Sequence, residues 1–195
     1  MAEPTPPKSK PVLADRYKVP SEQLTDGAVT LRRWHLRDAK ALLAAAVPSL
    51  PELKIWMPWA ANGYTLADAE SFLSITTADW DRGAGYNYAV LVDAQVVGSV
   101  GLMNPAQGPD GMGIGYWLAT SVTGRGLASK AAALLTQTAF DCGAELVQIW
   151  HAVANAKSRA VPERLGYRYL GEHEDLQISE RGVMGLWQKD APTQS

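Results

Sequence analysis

The chain has 195 residues, 47% of them hydrophobic and 19% charged. This excludes a wholly disordered polypeptide and suits one globular domain. With 18 Lys and Arg against 20 Asp and Glu, the net charge is −2, so the basic footprint of a dedicated nucleic-acid binder is absent. The lone Cys142 precludes an intrachain disulfide and a cysteine-built metal site and fits a reducing, cytoplasmic compartment.

Residues 1–20 are expected to be a flexible Pro/Lys-rich tail, starting Met1-Ala2-Glu3-Pro4-Thr5-Pro6-Pro7-Lys8, without the apolar core of a secretory leader. A single domain over 21–190 and a short tail over 191–195 follow. No apolar run reaches the roughly 18 residues of a membrane span; Ala41 to Val47 is stopped by Pro48.

The alternating, β-branched Val29–Trp34 predicts a first strand. Ala/Leu-rich Asp38–Val47 predicts a helix ended by Pro48, followed by an irregular stretch to Gly63. Thr65 and Asp68 have the spacing of an N-cap pair for a helix running to about Trp80 and ending before Gly83. The period then changes to strands at Tyr86–Val92 and Gln95–Leu102, joined by a two-residue turn at Asp93-Ala94. A turn-rich loop spans Gly101 to Gly111. Gly113–Ala119 predicts a strand, and Gly124–Phe140 an amphipathic helix with Leu127, Ala131, Leu134, Leu135 and Thr138 on one stripe. A strand over Glu145–Ala154, a helix over Ala156–Leu165 closed by Gly166, and strands at Tyr167–Glu172 and Val183–Gln188 complete the chain. Three consecutive strands imply antiparallel pairing, and the later strand-helix-strand unit implies a parallel pair through a right-handed crossover. The fold class is α/β (α+β), a mixed sheet covered by helices.

The chemistry-bearing segment is Trp117-Leu118-Ala119-Thr120-Ser121-Val122-Thr123-Gly124-Arg125-Gly126-Leu127-Ala128-Ser129-Lys130. A strand enters a glycine-rich turn that opens a helix, and the first helical N–H groups lack internal acceptors. Such a turn suits a phosphate or pyrophosphate. A Walker-type loop fails at Ser129 and Ala131; a dinucleotide fingerprint misses at Ser129, although Glu145 lies at a fitting distance. A plain strand-to-helix turn without ligand is the other reading.

Gly113-Ile114-Gly115-Tyr116-Trp117-Leu118, Thr123-Gly124-Arg125-Gly126-Leu127-Ala128 and Asn155–Tyr167, in this order and spacing, resemble a GNAT acetyltransferase of the RimJ/RimL type, a subgroup that includes ribosomal-protein N-acetyltransferases. The resemblance covers about Ala28 to Gln188. It implies the GNAT fold: a mixed, mostly antiparallel sheet of six to seven strands, with splayed central parallel strands and about four helices. It also implies acetyl-CoA as cosubstrate, with no metal. Backbone amides of Thr123, Gly124, Arg125, Gly126, Leu127 and Ala128 then bind the pyrophosphate. Thr123 stands where the family usually has Gln or Arg. Trp117, Leu118 and Ala119 pair through their backbone with pantetheine, and Gly113 and Gly115 suit the β-bulge usual in that strand. Asn155 holds pantetheine or caps the next helix. The family's thiolate-protonating Tyr is replaced by Pro162, which leaves Ser158 as the expected proton donor or, alternatively, a plain helix-start residue.

The implied reaction is direct attack of an amine on the thioester. Cys142, remote from the cleft motifs, is disfavoured as a nucleophile. No carboxylate stands at Met112–Gly115 or Val183–Leu186, so a strong base is missing. A lysine ammonium costs roughly 4–5 kcal/mol to deprotonate at neutral pH and an α-amine only about 1.4, which points to a protein N-terminus as acceptor. His151 is the remaining base candidate, or else a hydrogen-bonded core histidine; His35 and His173 look like loop or edge residues. Trp56 and Trp59 are candidates to clamp the acceptor, or a staple pinning an irregular loop. The partner expected is therefore a protein N-terminus or a small amine, with neither nucleic acid nor membrane, and a homodimer is compatible. A small-molecule (antibiotic or polyamine) acetyltransferase and a non-catalytic CoA-binding sensor remain as alternatives.

Overall fold

The computed structural model describes residues 12–108, 110–174 and 182–193. Its eight strands are β1 (Gln23–Thr25), β2 (Thr30–Arg33), β3 (Tyr86–Val92), β4 (Gln95–Met103), β5 (Met112–Leu118), β6 (Leu146–Ala152), β7 (Arg168–His173) and β8 (Met184–Asp190). They form one sheet in the order β1-β2-β3-β4-β5-β6-β8-β7. Neighbours are antiparallel except β5 and β6, the one parallel pair among the described residues. Five α-helices accompany it: α1 (Ala39–Ala46), α2 (Leu50–Trp56), α3 (Leu66–Arg82), α4 (Leu127–Asp141) and α5 (Ala156–Arg164).

The strand alternation puts Tyr88 and Val90 in one apolar layer and Ala89 in the other. On one face α4 buries Leu127, Ala131, Leu135 and Ala139. On the other, Leu42 of α1 and Ala69 and Leu73 of α3 pack around Trp34. The Trp34 indole N–H donates to Ser99 Oγ at 3.1 Å, and that hydroxyl donates to the Tyr88 carbonyl, so the buried polar atoms are satisfied. Thr65 and Asp68 form the expected capping box of α3, and Gly83 ends it in the left-handed conformation.

Several expectations shift. The fold reaches back past the boundary expected at residue 21 to Val12, because Leu13 is buried in the main core; residues 1–11 of the expected tail lie outside those described. The sheet has eight strands rather than six or seven, the addition being the three-residue edge strand β1. The stretch from Pro48 to Gly63 is largely helical: Pro48 and Pro51 occupy first-turn positions of a 3₁₀ turn and of α2, where a missing N–H is harmless. α4 begins at Leu127 rather than Gly124, since Gly124 and Gly126 both have positive φ. The β-bulge lies in β4, where Val97 is skipped in the pairing with β3, and β5 runs without a break against β4.

Asp93 and Ala94 do form the two-residue hairpin, with φ of 48° and 61°. Left-handed backbone costs an alanine roughly 1–2 kcal/mol, and this turn type favours glycine at its second position. Ala94→Gly is therefore expected to raise stability by about 1 kcal/mol, read as a rise in Tm of roughly 2–4 °C; an unchanged or lower Tm would contradict the strain.

Candidate functional site

β5 and β6 pair only from Met112 with Val147 to Ile114 with Ile149, although β5 continues to Leu118 and β6 to Ala152. Beyond that point the two strands diverge. The Ala119 N–H donates to the Val97 carbonyl of β4 at 2.7 Å. Alternation along the uninterrupted β4–β5 ladder then turns the backbone groups of Trp117 toward β4 as well, and those of Tyr116 and Leu118 toward the gap. Of the expected Trp117, Leu118 and Ala119, only Leu118 thus offers free main-chain groups there, and Tyr116 joins it. Trp117 instead contributes its ring.

The gap opens onto the N-terminus of α4. The first N–H with a helical acceptor is that of Lys130, which donates to the Gly126 carbonyl at 3.1 Å. Among the described residues the amides from Gly124 to Ser129 have no protein acceptor, and no side chain caps the helix. Positive φ at Gly124 and Gly126 folds the turn so that these donors cluster. The Ser129 hydroxyl is also buried there without a partner. Clustered amides, a helix dipole and an orphaned hydroxyl fit a pyrophosphate. Ser49 anchors the approach, since its Oγ accepts from the Thr120 N–H at 2.9 Å while donating to the Ala45 carbonyl.

Two cavities meet at this gap. One, of about 340 Å³, is lined by Leu118, Thr123, Gly124, Gly126, Leu127 and Ala128 on the phosphate-turn side. The other, of about 760 Å³, extends over β4 and β5 toward α3 and includes Trp59 and His151. Trp56, Tyr116, Trp117, Asn155 and Ser158 line both. The expected site residues therefore converge except for Ala119, which is buried, and Arg125, which is exposed; neither lines either cavity.

Asn155 caps α5, its Oδ1 accepting from the Ser158 N–H at 3.0 Å, which leaves its amide NH₂ for another partner. Sequence reasoning missed Tyr116. Pro162 lies inside α5 and cannot donate to the carbonyl four residues earlier, that of Ser158. The Tyr116 hydroxyl supplies the missing bond at 3.1 Å, and lies 3.1 Å from Ser158 Oγ as well. With its proton on the carbonyl, the phenol oxygen accepts from the Ser158 hydroxyl. Burial pushes the phenol up to about 12, against the pull of the Ser158 bond, so it stays protonated at neutral pH. The signal was the proline itself, which announces a carbonyl in need of a donor.

His151 has both ring nitrogens engaged. Nδ1 lies 2.8 Å from the Ala152 carbonyl, and Nε2 accepts from the Trp187 indole N–H at 3.0 Å. Although it borders the larger cavity, no imidazole lone pair is left for an incoming amine, which matches the alternative of a hydrogen-bonded core histidine. Cys142 is buried at the end of α4, where burial raises its thiol pKa. Gly113 is required by packing: a Cβ there would lie 2.5 Å from the Trp150 ring, which crosses the strand.

A family model for the acetyltransferase (GNAT) domain matches residues 28–168. YdaF of Bacillus subtilis (strain 168), whose name places it provisionally among the ribosomal N-acetyltransferases, is 31% identical over 152 residues, covering 75% of this chain and 81% of that protein. RimJ of Mycobacterium smegmatis, solved in complex with CoA-disulfide, superposes with a TM-score of 0.74 at 26% identity, covering 84% of this chain and 82% of that one. The microcin C7 self-immunity acetyltransferase MccE, solved with acetyl-CoA and AMP, superposes with a TM-score of 0.78 at 22% identity, over 85% and 94% of the respective chains.

Burial, partly offset by the Ala152 bond, lowers the His151 pKa below its ordinary 6.5. The unfolded chain thus takes up this proton first, so the stability contributed above pH 6.5 is lost as pH falls through the folded value. The urea midpoint of wild type is expected to drop more between pH 7.5 and 5.5 than that of His151→Gln. Equal drops would contradict the assignment.

Proposed function

Because the chain belongs to the GNAT acetyltransferase family, whose acyl donor is acetyl-CoA, we propose that it acetylates the N-terminal α-amine of a protein or peptide. The amine attacks the thioester directly, without an acyl-enzyme. The observation that carries this reading is the gap between β5 and β6, continuous from the bare N-terminus of α4 to a second, larger cavity.

The amides from Gly124 to Ser129 hold the diphosphate. Tyr116 and Leu118 pair along the gap with the pantetheine amides, and the Asn155 NH₂ adds a further donor. A backbone N–H near Leu118 on this edge of β5 stabilises the oxygen that gains charge as the thioester is attacked. As the C–N bond forms and the C–S bond breaks, the Ser158 hydroxyl swings from Tyr116 to pass a proton to the departing thiolate and regains the one that the attacking amine sheds, while Tyr116 holds Ser158 and the first turn of α5 in position. Acetyl-CoA supplies the acetyl group.

Neither lining carboxylate is free of a partner. Asp68 and Glu52 are the lining acids; Asp68 caps α3 and Glu52 pairs with Lys157 at 3.4 Å. An α-amine, with a pKa near 8, costs only about 1.4 kcal/mol to deprotonate at neutral pH, against roughly 4–5 kcal/mol for a lysine amine, so it needs a weaker base. The similarity to YdaF, named for a ribosomal N-acetyltransferase, supports a protein acceptor.

Purified protein with acetyl-CoA is expected to acetylate the α-amine of short peptides at least tenfold faster than a lysine side chain in an N-terminally blocked peptide, measured by product mass. Faster transfer to the lysine would overturn the α-amine assignment, and tight CoA binding without turnover on any amine would favour a binding protein. Ser158→Ala is expected to lower kcat by roughly 100-fold, the low end of the range for a general acid. Tyr116→Phe should lower kcat several-fold, with the KM for acetyl-CoA nearly unchanged in both; unchanged kcat in both variants would remove the pair from the reaction.

A further inference from the structure

The larger cavity is distinguished by its rings and by its lack of free charge. Trp56, Trp59, Tyr64, Phe72, Trp117 and Trp150 all border it. No lysine or arginine does. Its one carboxylate, Asp68, accepts from the Thr65 N–H at 2.8 Å and from the Thr65 hydroxyl at 2.6 Å, so it is committed to the start of α3. The other polar groups toward α3, among them Asn62, Ser71, Asn87 and the Tyr64 phenol, are neutral. Burial, then the nearby Asp68, pushes that phenol up to about 12, so it remains an uncharged donor.

Trp59 is the least accounted for of these rings. It sits on the 3₁₀ turn Pro58–Ala60 and is still 37% exposed. Its ring packs against other cavity rings, edge-on to Tyr64 at 5.0 Å and tilted to Trp117 at 5.5 Å between centroids. This arrangement leaves aromatic surface turned to the cavity that Tyr116 and Ser158 also line. Large rings with a wet edge are what ligand pockets use to take a flat apolar group. A polycation would meet a single carboxylate, Asp68, already hydrogen-bonded to Thr65, and no acidic cluster here, so most of its charge would be desolvated without compensation.

We propose that this cavity selects an acceptor whose primary amine lies beside a flat aromatic ring, as at an N-terminal Phe, Tyr or Trp, and turns away polycations. The inference rests on the acetyl-transfer reading above and adds the chemical class of the acceptor. A free arylalkylamine carries the same recognition chemistry, but its more basic nitrogen is less available without a strong base. The N-terminal aromatic residue is therefore the better substrate.

The test uses the full chain with acetyl-CoA and a panel of otherwise identical peptides beginning with Phe, Trp, Ser, Asp or Lys, alongside phenethylamine and spermidine. The kcat/KM for peptides with an aromatic first residue is expected to exceed that for the Ser peptide by at least about tenfold, with phenethylamine intermediate and spermidine lowest. Trp59→Ala, at a partly exposed position, is expected to pull the aromatic-to-Ser ratio toward one, mainly by raising KM for the aromatic peptides. Equal rates for the Ser and Phe peptides, or spermidine as the best acceptor, would overturn the selectivity while leaving acetyl transfer intact. A Trp59→Ala ratio equal to that of wild type would overturn the role given to these rings. Absence of transfer to every amine, with acetyl-CoA still bound, would bring down the underlying reading and this inference with it.

Discussion

The pairing of β5 with β6 stops after three positions, and the site is organised around that stop. A sheet strand with unpaired main-chain groups in a crevice is a costly arrangement unless something else supplies the partners. Here the edge of β5 beyond Ile114 faces β6 without reaching it, and the same strand leads through two left-handed glycines into a helix whose first amides are also unpaired. Both sets of donors open onto one gap. An extended ligand with amides along its arm and a diphosphate at one end would satisfy both at once, which is the shape and chemistry of acetyl-CoA.

Replacement of a helical residue by proline is felt across that gap. Pro162 removes the donor for the Ser158 carbonyl, and Tyr116, from the opposite strand, provides one while lying beside the Ser158 hydroxyl. A stabilising hydrogen bond and the positioning of a reactive hydroxyl thus come from the same phenol. Because the phenol is buried and stays protonated, its role is to hold and orient rather than to shuttle charge. β5, where it diverges from β6, is therefore tied by a side chain to α5, the helix that follows β6.

Much of the scaffold was legible because local chemistry dictates it. Thr65 with Asp68, Gly83 and the Asp93-Ala94 turn are short-range features whose geometry does not depend on distant contacts. The alternation of Tyr86 to Val92 likewise places its two faces whatever lies above them. β1 is not legible because three residues give too little periodicity, and α2 because Pro48, a helix stop by sequence, opens a 3₁₀ turn that leads into it. The site divides in the same way. The glycine turn and Asn155 with Ser158 are contiguous motifs, so sequence found them. The bond between Tyr116 and Ser158 joins residues 42 positions apart, and the choice of Leu118 over Trp117 and Ala119 depends on which edge of β5 the register gives to β4. The two nitrogens of His151 are likewise consumed by Trp187, 36 residues away, and by the local carbonyl of Ala152. Register and long-range pairing are tertiary facts that spacing does not encode.

Peptide-resolved amide hydrogen exchange with and without CoA addresses the central claim most directly. Saturating CoA is expected to slow exchange strongly at the amides of Tyr116, Leu118 and Gly124 to Ser129, leaving the interior of β3 and β4 unchanged. Unaltered exchange across those amides under saturating CoA would contradict the account, because the carrier would then be held somewhere other than the opened strand edge and the bare helix start.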